Sequence, residues 1–313
     1  MPLLKGVEVS EFTEIDRNVR FLRNVSFRYN TPWSASWFVD GSDGSDDYDG
    51  RSPTRAKATI DAAVQIAGHG DVIYIRPKTY VPGSGFGRYD GTATIDVAQY
   101  DLSLIGVTRS LNSEYGARWA ETTAGEYAII GDGPGMHVEN IGFFLEGCTT
   151  GGCANLRNNG ATYTQIGSTG TTFYNCVIKG GKIKLEGGDG FTARECKFHA
   201  MYDGTYGGGI AMTCSTIPGR RFTVRNCVFQ GGNAVAPATT YISTSSGLCT
   251  ELLVVDNYFG PIPADGHYVN FTTGTSGLLA HNFFEHANLV LETSLHLGEV
   301  VQSGNWDTAG IVV

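Results

Sequence analysis

The chain has 313 residues, 43 of them glycine, with 41% hydrophobic and only 17% charged residues and a net charge of −9. Nucleic-acid binders and proteins that adhere to anionic lipid carry a basic excess, so the acidic balance excludes both as main partners. MPLLKGVEVSEFTEIDRNVR at the start is broken by charges every few residues and has no signal-peptide run, and no stretch approaches the ~18 apolar residues of a membrane span; synthesis and retention in a cytoplasm are expected.

Residues 1–30 stand apart. They carry Glu8, Glu11, Glu14, Asp16, Arg17, Arg20, Arg23 and Arg28. Val19, Leu22, Val25 and Phe27 follow no clean period, and no turn residues punctuate the segment. This reads as an arm preceding a body at 31–313, or else as an extra strand lying on that body.

From Trp33 to Tyr80 three parts succeed one another. An Asp/Ser/Gly loop runs from Asp40 to Gly50. A short helix follows Pro53, with Ile60, Ala63, Val64 and Ala67 on one face, stopped by Gly68 and Gly70. Val72, Tyr74 and Arg76 then alternate with Ile73 and Ile75 as in a strand. A helix placed before the first strand would close the open end of a stack of strands, whose bare edge otherwise invites aggregation. Strand-like alternation returns at Thr92–Val97 and at Leu102, Leu104 and Gly106.

The decisive pattern is an irregular repeat. HVENIGF, FYNCVI, ARECKF, VRNCVF, VVDNYF and LAHNFF align so that their last column reads Phe143, Ile178, Phe198, Phe229, Phe259, Phe284. Two residues earlier stand Ile141, Cys176, Cys196, Cys227, Asn257 and Asn282. Three before those stand Val138, Phe173, Ala193, Val224, Val254 and Leu279. A gap of three would put the last set on the opposite face of a straight strand, yet it is apolar throughout. A bend resolves the contradiction. Asn140, Asn175, Glu195, Asn226, Asp256 and His281 precede the middle column, and Asn, Asp and His tolerate left-handed φ better than most residues. Each unit is therefore strand, one-residue corner, strand. Stacked units place Phe over Phe and Cys over Cys, with Asn257 over Asn282 as an amide ladder. The predicted fold is all-β: a right-handed parallel β-helix, or solenoid, with a short N-terminal capping helix.

The pieces SPTRAKATIDAAV, GDVIYIRPKTY and DLSLIG, together with the Asn-Cys-x-Phe units, resemble the pectate-lyase-like β-helix superfamily over roughly residues 35–290. The resemblance implies architecture and not one activity. Uronate lyase chemistry would need an Arg base and acidic calcium ligands. Arg220, Arg221 and Arg225 lie near Asn226 but read as solvated, and the family's arginine and WIDH-type signatures are absent. Polygalacturonase-type hydrolysis would need two carboxylates about 5–10 Å apart. Glu186, Asp189, Glu195 and Asp203 are the densest set, otherwise ordinary acids of Gly-rich turns. Gly68-His69-Gly70 reads as a turn, and Lys182-Ile183-Lys184 lacks the family's Arg.

The remaining candidates are as follows. Asp40, Asp43, Asp46, Asp47 and Asp49 could offer calcium alternating oxygens, or simply make Asx-turns. His267, His281, His286 and His296 match no metal spacing. Cys148 and Cys153 could pair on a loop, against a reading of seven reduced, mostly buried thiols. Tyr202, Tyr206 and Tyr241 could stack on sugars from loops or pack as lids. No catalytic, cofactor or metal residue is assigned.

β-Helices lacking an apolar leader resemble phage spikes and decorations. That resemblance implies a virion structural protein: a head decoration or tail appendage anchored to other virion proteins through residues 1–30, as a homotrimer or as a monomer on a capsid shell. It would contact host surface polysaccharide, with no nucleic acid and no membrane as partner. Polysaccharide cleavage by a lyase or glycoside hydrolase, and carbohydrate binding without catalysis, are the alternatives.

Overall fold

A computed structural model of the chain describes residues 34–79, 87–108, 116–121, 123, 125–145, 151–158, 166–199, 209–214, 217–230, 240–244, 248–262, 266–285, 295–296, 299–307 and 310–312. The arm 1–30, Cys148, Tyr202, Asp203, Tyr206, His286 and the His296 side chain lie outside the described residues.

The strands form a parallel β-helix. Sheet A has ten parallel strands, from Ser36–Val39 through Val72–Ile75, Ser103–Gly106 and His137–Glu139 to Glu299–Ser303. Sheet B runs from Tyr89–Asp90 through Ala117–Ala120, Ile141–Phe144, Val177–Lys179, Lys197–His199, Val228–Gln230, Tyr258–Phe259 and Phe283–Phe284 to Asn305–Asp307. Sheet C runs from Ala93–Ile95 to Leu295–His296. Each coil visits A, B and C in turn, so every strand hydrogen-bonds its counterparts in the coils before and after. A small fourth sheet of Gly188–Asp189, Gly219–Arg220 and Cys249–Thr250 widens the turn from C back to A.

The corner between A and B is the predicted one. Asn140, Asn175, Glu195, Asn226, Asp256 and His281 all have φ between 47° and 57°. The corner amides are not lost, for each donates to the next coil, as Asn175 N does to Arg194 O at 3.0 Å and His281 N to Ser303 O at 3.1 Å. A second left-handed column, absent from the sequence reading, precedes the seven sheet A strands from Val72–Ile75 to Leu252–Val255. It holds Gly70, Asp101, Gly135, Gly170, Gly190, Arg221 and Glu251. Gly135 is required there twice over: its φ is 75°, and a Cβ would lie 1.9 Å from Asp101 Oδ1.

The interior is laddered as the columns demand. Phe198, Phe229, Phe259 and Phe284 stack with centroids 4.7, 4.8 and 5.0 Å apart and planes within 10° of parallel. Cys176, Cys196 and Cys227 lie buried one coil above another. In the same column Asn257 Nδ2 donates to Asn282 Oδ1 at 2.9 Å, and Asn282 Nδ2 to Asn305 Oδ1 at 3.1 Å. Each of these carbonyl oxygens also accepts a backbone amide of the preceding coil: Cys227 N to Asn257, Asn257 N to Asn282, Asn282 N to Asn305. The ladder thus ends one coil later than the sequence suggested.

The capping helix α1 is Ile60–Val64. Thr59 caps it by accepting Ala62 N, and Ile60, Ala63, Val64 and the following Ala67 are buried. It sits where the first coil would have a strand of sheet C, packing against Ala93–Ile95. Gln99 Nε2 satisfies its terminal carbonyls, donating to Val64 O at 2.5 Å and Ala67 O at 2.9 Å. At the other end an antiparallel strand, Gly310–Val312, covers the last strand of sheet B.

Candidate functional site

Alternation along the strands of sheet B decides which residues face out. In the unit Asn282-Phe283-Phe284 the first and last point inward and Phe283 points outward. Repeated in register, the outward position becomes the column Arg118, Gly142, Val177, Lys197, Val228, Tyr258, Phe283, Trp306. Its last three members are aromatic. Tyr258 and Phe283 stack at 5.6 Å with planes 9° apart. Phe283 is 36% and Trp306 51% exposed, against 0% for Phe284 next door. The Tyr258 hydroxyl donates to the Glu285 carboxylate. That bond, with burial added, pushes the Tyr258 phenol up to about 12, so it stays protonated at neutral pH. The face therefore offers flat apolar rings, flanked by a carboxylate on Glu285 and an amide on Gln230. The sequence carried the signal, since the residue after each ladder Asn reads Tyr, Phe, Trp.

Among the described residues, the acids singled out from sequence do not make a reactive pair. Lys184 Nζ donates to Glu186 at 2.7 Å. Arg221 grips Asp189 with two bonds, one of 2.7 Å. The guanidinium holds the Asp189 carboxyl below the usual carboxylate range, so it is no proton donor. Glu195 occupies a corner beside Arg194. Arg220 and Arg225 point outward as expected and pair with Glu251 and Asp256.

The carboxylates of the Asp40–Gly50 loop bond to the loop and to the chain that packs around it. Asp40 accepts Ser42 N and pairs with Arg76, Asp46 accepts Ala58 N and Thr59 N, and Asp49 pairs with Arg55. Among the described residues no three His, Cys, Asp or Glu side chains gather as a metal site. His69 lies in a turn and stacks on Tyr100 at 4.7 Å. Cys153 is a buried free thiol, as are the five other described cysteines.

Tyr241 corrects an expectation. Read as a loop residue because Gly, Thr and Ser surround it, it lies in the sheet C strand Thr240–Thr244, 1% exposed, packed on Phe229, Phe259 and Tyr268. Burial pushes its phenol far up, and the hydroxyl donates to Gly260 O and Pro261 O.

Two further features are closed or apolar. His137 and Glu139, two apart on a sheet A strand, meet at 2.9 Å, and Glu139 also accepts Asn140 Nδ2. Both are only 7% exposed, so the pair braces the sheet and is shut off from a polymer. A cavity of about 300 Å³ is lined by Phe38, Pro53, Ala56, Tyr74 and Val107. Its charged lining residues, Asp40 and Arg76, are bonded to each other.

The chain is by its architecture an all-β parallel β-helix. No family model and no curated protein matches its sequence. Among solved structures it is similar to pectate lyase Pel9A at 14% identity, covering 88% of this chain and 80% of that one with a TM-score of 0.44. A pectin methylesterase in complex with a hexasaccharide is also 14% identical, with 88% and 90% covered and a TM-score of 0.41. A tailspike protein of Acinetobacter baumannii bacteriophage Fri1, a capsular polysaccharide depolymerase, is 11% identical with a TM-score of 0.38. The match covers 90% of this chain and 63% of the tailspike.

Proposed function

We propose that the chain is a rigid glycan-contacting component of a virion, a head decoration or tail appendage joined to other virion proteins through residues 1–30, that binds host surface polysaccharide without cleaving it. The outward column of half-buried Tyr258 and exposed Phe283 and Trp306 carries the glycan part of this reading. An aromatic surface left in water at successive rungs marks an interaction face. Planar rings set ~4.8 Å apart by the coil spacing suit the apolar faces of consecutive sugars. The ion-paired state of Glu186 and Asp189 supports binding over hydrolysis. The virion part rests on the charged segment preceding the solenoid. A display anchor needs only modest affinity per copy, since copy number supplies avidity.

Two measurements test it. Mass spectrometry of purified particles should detect the chain as a structural component; its absence from particles removes the virion part. Host capsule incubated with the protein should be retained on it without release of reducing ends or unsaturated products. Sustained turnover, abolished by changing Glu186 or Asp189, would replace this reading with a depolymerase.

A further inference from the structure

The outer face of sheet A is hollowed at its first three strands. Phe38 and Tyr74 stand in register on neighbouring strands and stack at 5.6 Å, with Ile105 buried beside Tyr74 on the third. Two residues further along the same strands come Asp40, Arg76 and Val107, which alternation turns to the same side. The chain from Gly50 to Lys57 runs along the edge of the first strand. Phe38 N donates to Gly50 O at 2.9 Å and Lys57 N to Phe38 O at 2.8 Å, and this brings Pro53 and Ala56 up as a wall. The result is the cavity of about 300 Å³, a size that suits a small ligand group. Its polar groups are few and fixed. Asp40 is buried, accepts Ser42 N at 3.0 Å and Asp43 N at 3.3 Å, and holds Arg76 through Nη1. Asp43 accepts from the same Nη1 at 3.3 Å. Among the described residues, Nε and Nη2 of Arg76 and the Tyr74 hydroxyl have no partner.

We propose that this cavity is a second glycan-binding site, which takes the acetamido group of an N-acetylated sugar. The inference goes beyond the function proposed above, which the aromatic column alone carries. The two places lie apart: Tyr74 and the strand that leads to Phe283 are seven sheet A spacings from each other, ~34 Å. Most of the lining is carbon, and a bare hydroxyl buried there would lose its water and gain no partner. An acetamido group avoids that loss. Its methyl meets Phe38, Pro53, Ala56 and Val107. Its carbonyl accepts from the open guanidinium edge of Arg76, and its N–H donates to the Tyr74 oxygen. The sugar ring stays at the mouth beside Val107, which is 45% exposed. Charged substituents fit less well. Asp40 and Asp43 already meet the guanidinium charge, so a carboxylate gains little, and an ammonium would face Arg76 itself. The Asp40–Gly50 loop then has a role: it leads into the cavity wall and fixes Arg76.

The test is calorimetric titration of the full-length protein with trisaccharides of one linkage that differ in a single ring substituent: cellotriose (hydroxyl), chitotriose (amine) and triacetylchitotriose (acetamido). Circular dichroism verifies that each variant folds. The wild type should bind triacetylchitotriose about tenfold or more tighter than the other two. Val107→Trp closes the mouth from an exposed position and should remove that preference. Tyr74→Phe keeps the ring stack and removes only the hydroxyl, and should weaken triacetylchitotriose binding about threefold or more. Phe283→Ala should leave the preference intact. Equal binding of the trisaccharides by the wild type, or a preference that survives Val107→Trp, overturns the site. Loss of the preference in Phe283→Ala puts acetamido recognition on the aromatic column and overturns it as well. Capsule retention tests the wider reading separately. If Phe283→Ala loses retention while the trisaccharides bind alike, the column stands and the cavity site falls. If the wild type prefers the acetamido sugar but retains no capsule, the cavity site stands and the column falls.

Discussion

Phe283 and Phe284 are neighbours of identical chemistry on one strand, and they have opposite fates. Phe284 ends the inner stack at 0% exposure; Phe283 continues an outer stack at 36%. The inner rings are held from every side and fix the coil spacing. The outer rings inherit that spacing and are free to use it. Sheet B thus has a structural face and a presenting face drawn from the same repeat, and position in the period of two, not residue type, assigns the role.

The contrast breaks most severely from the inside. Phe229 is buried between Phe198 and Phe259. Phe229→Asp removes that packing and buries a carboxylate without a partner, each costing several kcal/mol, about the whole stability of a domain; the variant should be insoluble or unfolded by circular dichroism. Phe284→Ala, a milder cut, should cost about 3–5 kcal/mol in urea unfolding. Phe283→Ala should cost less than about 0.5 kcal/mol yet weaken glycan retention. Equal stability losses at 283 and 284 would erase the distinction between the faces.

The same column can be compared along its length. Cys196 is a small buried thiol whose Sγ reaches carbonyls at 3.4 Å. Asn282 is the centre of an amide ladder, accepting from Asn257 and donating to Asn305 and Val254 O. Asn282→Ala strands buried donors and acceptors on both neighbours and should cost about 2–4 kcal/mol. Cys196→Ala should cost about 1 kcal/mol, the scale of a small buried group. Urea midpoints that rank the two variants the other way would show that the ladder adds nothing beyond packing.

Much of this interior was legible in the sequence. A columnar Phe, a Cys that yields to Asn and a corner residue tolerant of left-handed φ each leave a distinct letter. The second corner was not legible, because glycine fills most of it and appears throughout the chain, while Arg221 and Glu251 have no special preference for that conformation and Asp101 alone makes no column. The last coil escaped because Gly304 replaces the corner Asn and Asp307 the closing Phe. Tyr241 was misplaced because polar neighbours in sequence say little about a residue at the edge of a turning strand. The ion pairs that occupy Asp189 and Asp132 join residues 32 and 25 apart, a separation fixed only when coils stack. The outward aromatic and cationic positions were present in the aligned repeat, but alternation shows their meaning only once the inward columns are known.

A pH-dependent effect is expected at the other end of the same face. A free histidine titrates near 6.5, and burial, Lys197 and Lys179 lower His199 to about 4 in the fold. As pH falls through 6.5 the unfolded chain takes up this proton and the folded chain does not. The unfolded state then binds more protons, so stability declines from about pH 6.5 to about 4 and the contribution levels off below. Carboxylates such as Asp189, held low by Arg221, add their own loss at acid pH, so the measurement is a difference between two proteins. Urea midpoints of wild type and His199→Gln, taken at pH 7.5, 6 and 5, should diverge on acidification, with the wild type losing about 1 kcal/mol more once solvent screening is allowed for. The aromatic variant Phe283→Ala should run parallel to wild type over the same range. Parallel curves for His199→Gln would mean that neither burial nor the lysines hold His199 below its free value.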